Sequence, residues 1–344
     1  MIAMSGGVDS SVAAALTEGE RVGVAMRLYS VPEDELRTGR TCCAPDDLYD
    51  ARRAAAVLGI PFYVYDAQER FREQVIDPFI GAYARGETPN PCVRCNDHVK
   101  FDWLLDRALK LGADELVTGH YARVEREGDA WVLKRAVDAG KDQSYFLHGL
   151  TQAELSRVRF PLGQMTKARV RAVARERALP NADKPESMEV CFVGDAKLSD
   201  FLESHGVGTA RGEVVDVEGR VLGEHDGVHR FTVGQRKGLG VSHALPLYVG
   251  ALDAARQRVT VGTREEVSRS AFSAQDASWV AGPPEPGSRC EVQIRHRGKP
   301  LAAVVEPSGS AVSVRLLEPA VGVAPGQSAV FYRGEQVLGG ARIA

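Results

Sequence analysis

The chain has 344 residues, enough for two or three domains with a full core in at least one, and its six cysteines are too few and too irregularly spaced for a disulfide scaffold. A formal charge of −3 argues against a protein that coats nucleic acid indiscriminately, but leaves room for one that grips a folded RNA through local patches. The opening MIAMSGG lacks the pattern of a secretory signal and no segment approaches the ~20 consecutive apolar residues of a membrane span, so the expectation is a soluble protein of a reducing cytoplasm.

The first half alternates short apolar runs with helical periodicity. IAM (2–4), RVGVAM (21–26), PFYVYD (61–66) and ELVTG (115–119) read as strands. Between them Leu48, Ala51, Ala55 and Leu58 recur at steps of three and four behind the cap-like Asp46 and Asp47, and Phe101, Leu104, Leu105, Ala108 and Leu109 do the same. Strands too apolar to alternate, separated by helices, predict an α/β domain with a mostly parallel sheet covered on both faces. KARVRAVARERALP adds a helix, followed by the loop NADKPES and the short run MEVCFVG. Beyond about residue 200, GRVLGEHDGVHRFTVGQRKGLG is rich in glycine and predicts small strands and tight turns. After AGPPEPGS, the runs CEVQIRHRG, LAAVVEP, AVSVRLLEP and SAVFYRGEQVLGG half-alternate with turn residues between them, as in a small barrel or sandwich.

AMSGGVDSS (3–11) lies where the first strand runs into a helix. Gly6 and Gly7 allow a sharp turn and present N–H groups, Ser5, Ser10 and Ser11 add hydroxyls, and the helix N-terminus behind them favours an anion. No lysine follows the glycines, which excludes a Walker A loop, and the third glycine of the dinucleotide fingerprint is absent. Asp9, a carboxylate beside phosphates, calls for a cation and reads as a Mg²⁺ ligand, directly or through water. Only Met1–Met4 precede the loop, so the first strand is short or the natural start lies upstream.

Two basic clusters stand out. Lys167, Arg171 and Arg175 lie at successive i,i+4 positions and form one stripe on a helix, and Arg295, His296, Arg297 and Lys299 crowd a strand-like stretch; each reads equally as a solvated face or as a nucleic-acid contact. TPNPCVRCNDHVKF (88–101) sets Cys92 three residues before Cys95, a spacing that suits half a metal site, a redox pair or a sulfur-transfer segment. Cys191 in MEVCFV also reads as a simple buried thiol. Cys42 and Cys43 are adjacent, poor geometry for joint chelation, and are assigned no role.

SGGVDS resembles the pyrophosphate-binding loop of the ATP pyrophosphatase superfamily. GVAMRLYS (23–30), TPNPCVRCNDHVKF, TGHYAR (118–123), KDQSYFL (141–147), PLGQMTKARVRAVA (161–174), ESMEVCFVGD (186–195) and FTVGQRKGLG (231–240) resemble, in order and over nearly the full length, the bacterial tRNA-specific 2-thiouridylases. That resemblance implies a parallel-sheet adenine-nucleotide-binding α/β domain, a small mainly β central domain and a C-terminal β-barrel, here expected over 1–198, 199–256 and 257–344. It implies ATP-dependent adenylation of the C2 oxygen of the wobble uridine in tRNAs for lysine, glutamate and glutamine, and replacement of that oxygen by sulfur. The sulfur would come from a cysteine desulfurase or a sulfur-relay protein. Cys191 would carry a persulfide and Cys95 act as partner nucleophile, the two pairing as a disulfide after delivery. Ala3, Met4, Ser5, Gly6, Gly7, Val8, Asp9, Ser10 and Ser11 would bind ATP and Mg²⁺, with Met26 and Gly119 lining the adenosine pocket. Asn90, Pro91 and Cys92 would meet the target base. Lys141, Asp142, Gln143, Arg295 and His296 match tRNA contacts, although the family often has an aromatic residue after that arginine; the Lys167 stripe joins them as a candidate tRNA patch. His120 reads as a base, a metal ligand or, better, a hydrogen-bonding support for the pocket.

Position 92 departs from the family. Much of it has aspartate there as a proposed acid or base, where this chain has a thiol, and Asp97 is the nearest other carboxylate. Cys92, Cys95 and Cys191 together also supply the thiolates for a [4Fe-4S] cluster with one open iron, an alternative route to the same reaction. An argininosuccinate-synthase-like or amidotransferase ligase would share the ATP loop without needing Cys95 and Cys191, and a non-catalytic tRNA-binding protein would keep the basic patches without the loop.

Overall fold

The computed structural model describes residues 1–29, 45–186, 190–194 and 196–344. Cys42 and Cys43 lie outside the described residues. The chain forms two compact units, one of Met1–Ile76, Pro91–Ala196 and Glu335–Val337, the other of Asp77–Asn90, Lys197–Gly334 and Leu338–Ala344.

The first unit is the expected α/β fold. Strands β1 (Ile2–Ala3), β2 (Gly23–Arg27), β3 (Phe62–Asp66) and β4 (Leu116–Val117) fall on the four apolar runs. A hairpin of β5 (Ala122–Glu127) and β6 (Ala130–Arg135) follows, then β7 (Val158–Arg159). The sheet runs β3-β2-β1-β4-β7, every neighbour parallel. Helices α1 (Val8–Leu16), α2 (Pro45–Val57) and α3 (Lys167–Glu176) bury one core with it, in which Val12, Ala13, Ala14, Ala51, Ala54, Val170 and Ala174 interlock with Ile2, Met4 and Val117. The run of small residues VAAA (12–15) lets α1 lie close to its neighbours. The chain leaves β1 toward β2 on one side while β4 lies on the other. The carboxyl ends of β1 and β4 therefore flank the topological switch point, where open α/β sheets bind ligands.

The helix predicted around Phe101–Leu109 exists, but its first part, Asn96–Leu104, is π-helical, as is Arg72–Ile76. π-turns inside helices recur at functional sites.

In the second unit, β8 (Gly212–Val215), β9 (Val221–His225), β10 (Tyr248–Asp253) and β11 (Arg258–Gly262) form a small sheet around Val214, Val249, Val259 and Val261. The C-terminal strands β12 (Arg269–Trp279), β13 (Ser288–Gln293), β14 (Leu301–Ser308), β15 (Ala311–Ala320), β16 (Ser328–Arg333) and β17 (Gln336–Ile343) run in the order β12-β15-β14-β13-β16-β17, and β12 also pairs with β17. That pairing closes an antiparallel barrel without edges. The basic stretch expected to be a strand is not one. β13 ends at Gln293, and Arg295–Arg297 turn away from it, with Arg297 at φ 60° and the Gly298 N–H donating to the Arg295 carbonyl at 3.0 Å.

Gly163 tests the packing of the first unit, because a Cβ there would lie 1.9 Å from the Ala122 carbonyl oxygen. Gly163→Ala should cost about 1–3 kcal/mol and lower the melting temperature by several degrees. Gly208→Ala, with nothing within 4 Å of the new methyl, should leave it unchanged within a degree or so. Calorimetry of the two variants checks the contrast.

Candidate active site

The glycine loop turns at the carboxyl end of β1. Gly6 has φ 79°, and a Cβ there would lie 2.1 Å from the Asp47 carbonyl oxygen, so α2 fills the space that a side chain would need. Gly7 is the extended N-cap of α1, and its carbonyl accepts from the hydroxyls of Ser10 at 3.1 Å and Ser11 at 3.2 Å. Ser10 Oγ in turn accepts the Ser5 N–H at 3.1 Å. Asn181 Nδ2 donates to the Gly6 carbonyl and to Ser11 Oγ, both at 2.9 Å. The serines thus fold the loop back on its own carbonyls, while the first-turn N–H groups of α1 have no acceptor within the helix, the arrangement that lets a helix start receive an anion. Ala3, Met4 and Val8 belong to the strand and the core and can serve a ligand only through their backbone. Gly119, just after β4, has no room for a side chain either: a Cβ would lie 2.7 Å from the Ser10 nitrogen. Met26, in β2, is buried with 9% of its surface exposed.

Asp9 stands in the first turn of α1 within a charged cluster. Lys167 Nζ lies 2.7 Å from its Oδ1 and 2.8 Å from its Oδ2, and the Tyr121 hydroxyl donates to Oδ1 at 2.8 Å. The same Lys167 ammonium is 2.6 Å from Glu186 Oε1, and Lys141 binds Glu186 Oε2. Burial alone would raise the Glu186 pKa, but hydrogen bonds from Lys141 and Lys167 outweigh it and hold the carboxyl at about 2. Burial, then the Asp9 carboxylate, push the Tyr121 phenol far above its ordinary value, so it remains a donor. Gln143 clamps Tyr121, its side-chain oxygen accepting the Tyr121 N–H at 3.0 Å. Asp142 is bound from four sides, by the N–H groups of Ala136 at 2.9 Å and Ser144 at 3.2 Å, by Ser144 Oγ at 2.9 Å and by Arg135 at 3.1 Å.

The expected basic stripe therefore breaks up. Lys167, with 12% of its side chain exposed, is turned into the site, Arg171 donates to the carbonyls of Ala182 at 2.9 Å and Lys184 at 3.2 Å, and Arg175 pairs with Asp183 at 2.8 Å. The periodicity correctly places the three on one helix, but each meets a different partner. Lys184 itself bridges Asp47 at 2.5 Å and Asp50 at 2.6 Å, which fixes α2 against the loop.

Cys92 is exposed and Cys95 buried, both on the short helix Pro91–Cys95. Two arginines brace this segment reciprocally: Arg94 Nε donates to the Gln74 carbonyl at 2.7 Å, and Arg70 Nε to the His98 carbonyl at 3.2 Å. Each takes a carbonyl of a π-helical turn. Asn96 donates to the Phe146 carbonyl at 2.9 Å. Cys191 is half-buried, and its carbonyl accepts the Tyr29 hydroxyl at 2.6 Å, while Phe192 packs edge-on against Phe71 at 5.8 Å. Sequence reasoning did not single out Tyr29, although GVAMRLYS contains it. Cys290, in the other unit, is driven up to about 11 by burial and is no thiolate at neutral pH. Among the described residues no group of three or more histidine, cysteine or acidic side chains is gathered to hold a metal. Cys92, Cys95 and Cys191 are thus not gathered as a ligand set in this arrangement.

His120 keeps the supporting part expected of it. Its Nδ1 is 2.7 Å from Thr118 Oγ1, its ring lies against Phe101 and Phe160, and burial, then Lys100, push its pKa well below the ordinary value.

Residues 1–195 match the tRNA methyl transferase HUP domain, 199–263 the tRNA methyl transferase PRC-barrel domain and 269–343 the aminomethyltransferase β-barrel domain. The chain is similar to the tRNA-specific 2-thiouridylase MnmA of Geobacter metallireducens, 50% identical over 99% of this chain and 95% of that one. The namesakes from Acidothermus cellulolyticus, at 49% identity over 100% and 97%, and from Chloroflexus aurantiacus, at 50% over 100% and 98%, are as similar. The chain belongs to the tRNA-specific 2-thiouridylase family. In this 2-thiouridylase-family chain, position 92 is a thiol and Asp97 is the neighbouring carboxylate. A Cβ at Gly149 would lie 2.5 Å from Asp97 Oδ1, an atom closed off from solvent with no hydrogen-bond donor among the described residues. Burial, then the Glu154 charge, raise its pKa to about 7 against the opposing pull of Arg94.

Between about pH 4 and pH 7 the folded chain holds a proton on Asp97 that the unfolded chain has lost, so this group's contribution to stability falls as pH rises through that window and levels off above it. Asp97→Asn removes the slope. Relative to the parent it should gain stability progressively from pH 4 to pH 7, reaching on the order of a few kcal/mol at pH 8. Urea titrations at pH 4, 6 and 8 check this, and a constant difference would show that Asp97 ionises normally in the fold.

Proposed function

We propose that this chain is an ATP-dependent tRNA-uridine 2-sulfurtransferase that adenylates the C2 oxygen of the wobble uridine and replaces it with sulfur. The observation that carries the reading is the glycine loop packed against Gly119 at the sheet's switch point, in the same unit as Cys95 and Cys191 and in a chain about half identical to 2-thiouridylases over its length. A uracil oxygen is a poor leaving group. Transfer of AMP to it, with release of pyrophosphate, makes it a good one. The loop's N–H groups receive the polyphosphate and Gly119 and the Met26 backbone border the adenosine. Asp9 is the residue that would hold Mg²⁺, which supplies charge neutralisation for the departing pyrophosphate.

The sulfur step uses two thiols. The terminal sulfur of a Cys191 persulfide forms the C–S bond as AMP leaves. Cys95 thiolate then attacks Cys191 Sγ, the persulfide S–S bond breaks with its electron pair going to the base sulfur, and 2-thiouridine is released with a Cys95–Cys191 disulfide left behind. Two electrons from a cellular thiol reductant restore the pair. Asn90, Pro91 and Cys92 face the target base in this reading. Lys141, Asp142, Gln143, Arg295 and His296 serve tRNAs for lysine, glutamate and glutamine, with Lys141, Asp142 and Gln143 acting largely by shaping their loop. A cysteine desulfurase or relay protein supplies the persulfide, in the cytoplasm. The three-part division at 1–198, 199–256 and 257–344 belongs to the same proposal.

Asp9→Ala should lower pyrophosphate release by on the order of a hundredfold or more while tRNA affinity stays within about twofold. Rapid-quench assays with unmodified tRNA measure it, and normal release would remove Asp9 from the activation step. Cys191→Ser should still adenylate tRNA but yield no 2-thiouridine, because serine cannot accept sulfane sulfur. Nucleoside mass spectrometry beside the pyrophosphate assay separates the two steps. Loss of adenylation in a folded Cys191→Ser would make the residue structural.

A further inference from the structure

The phosphate loop has no lysine of its own, yet a lysine reaches it from far along the chain. Lys167, the first residue of α3, lies with its ammonium against both oxygens of Asp9, at 2.7 and 2.8 Å, and against Glu186 Oε1 at 2.6 Å. Thr166 caps the helix, its hydroxyl accepting the Arg169 N–H at 3.3 Å, and the Lys167 N–H donates to Asp138 at 2.9 Å, so the stem of the side chain starts from a fixed point. Asp9, Lys167, Glu186 and Lys141 alternate in sign and sum to zero.

A neutral cluster does not match a polyphosphate, which needs net positive charge beside it. A cation at Asp9 would compete with that contact. A metal ion on either Asp9 oxygen would sit near an ammonium already within hydrogen-bond distance of both, and like charges at short separation repel in a partly desolvated site. That repulsion favours Lys167 turning away from Asp9 when the metal arrives. Its stem has four flexible carbons, Glu186 keeps its hold on the ammonium, and the negative charge that arrives with the metal is the phosphate chain.

We propose that Lys167 is a polyphosphate-binding residue of the activation step, exchanging the Asp9 carboxylate for a phosphate oxygen when ATP enters, and that Glu186 is the positioning residue that holds it within reach. The inference rests on the ATP reading of the loop and adds to it the residue that supplies the missing loop lysine. Glu186, held ionised by its two lysines, keeps the ammonium in place in both states.

Equilibrium binding of a non-hydrolysable ATP analogue with Mg²⁺, of AMP and of unmodified tRNA, to the full chain and to Lys167→Met, Lys167→Arg and Glu186→Gln, tests it. Lys167→Met should weaken the triphosphate on the order of tenfold or more while AMP and tRNA stay within about twofold. Lys167→Arg should recover part of the loss, and Glu186→Gln should raise KM for ATP more than it lowers kcat in the pyrophosphate assay. Equal losses for triphosphate and AMP would show a structural role, and a loss confined to tRNA would return Lys167 to an RNA-facing stripe; either overturns the inference. If Lys167→Met does not fold, the other two variants must show the triphosphate-selective loss or the inference fails. A parent chain that binds the triphosphate, with variants that match it, sinks the inference alone. A parent that binds no triphosphate sinks the ATP reading with it.

Discussion

The first turn of α1 is wedged between two backbones, and the rest of the catalytic unit is arranged around that wedge. Gly6 admits the Asp47 carbonyl where a side chain would stand, and Gly119 admits the Ser10 backbone. Both contacts are closer than any residue with a Cβ allows. Once α2 is that close, its acidic face needs a cation, and Lys184 bridges Asp47 and Asp50. Arg171 then holds the carbonyls on either side of Asp183, and Asn181 ties the same segment to Gly6 and Ser11. The loop is shaped partly from outside, by α2, Gly119 and Asn181, and partly by its own Ser5–Ser10 hydrogen bond.

The charged cluster beside it is poised rather than stabilising. Ion pairs with little exposure return about as much Coulomb energy as their desolvation costs, while loss of one partner leaves the other stranded. Asp9, Lys167, Glu186 and Lys141 therefore contribute little net stability as a set but constrain one another's positions. Such a set holds its members in place by mutual attraction, so a change of partner for one of them is felt by all four, which an apolar filling of the same space would not transmit.

Much of this was legible in the sequence where the signal is local. The glycine loop, the four short strands of the parallel sheet and the barrel strands from β13 onward follow from turn chemistry and apolar runs, which need no distant partner, whereas β12 and the β5–β6 hairpin were not anticipated. The partners of the stripe were not legible. Spacing of i,i+4 says that Lys167, Arg171 and Arg175 share a helix face, but the partners come from Asp9, from 182–184 and from Asp183. Arg295 and His296 were placed on a strand because the residues before them alternate; Gly298 was the signal that the chain turns there. The π-helical Asn96–Leu104 escaped because the periodicity of Phe101, Leu104, Leu105, Ala108 and Leu109 marks a helix without distinguishing an α turn from a π turn.

The two cysteine segments are anchored by main chain. A π-turn shifts the ladder of helical hydrogen bonds and offers carbonyls to outside donors. Arg94 takes the Gln74 carbonyl and Arg70 the His98 carbonyl, so the stretch around Cys95 cannot slide against Arg72–Ile76 without breaking charge-assisted bonds on both sides. Tyr29 does the corresponding work on Cys191 through its carbonyl oxygen. If these thiols transfer sulfur as proposed, each must change its covalent partner during one turnover, and anchors on main-chain carbonyls hold the backbone through bonds that such an exchange does not break.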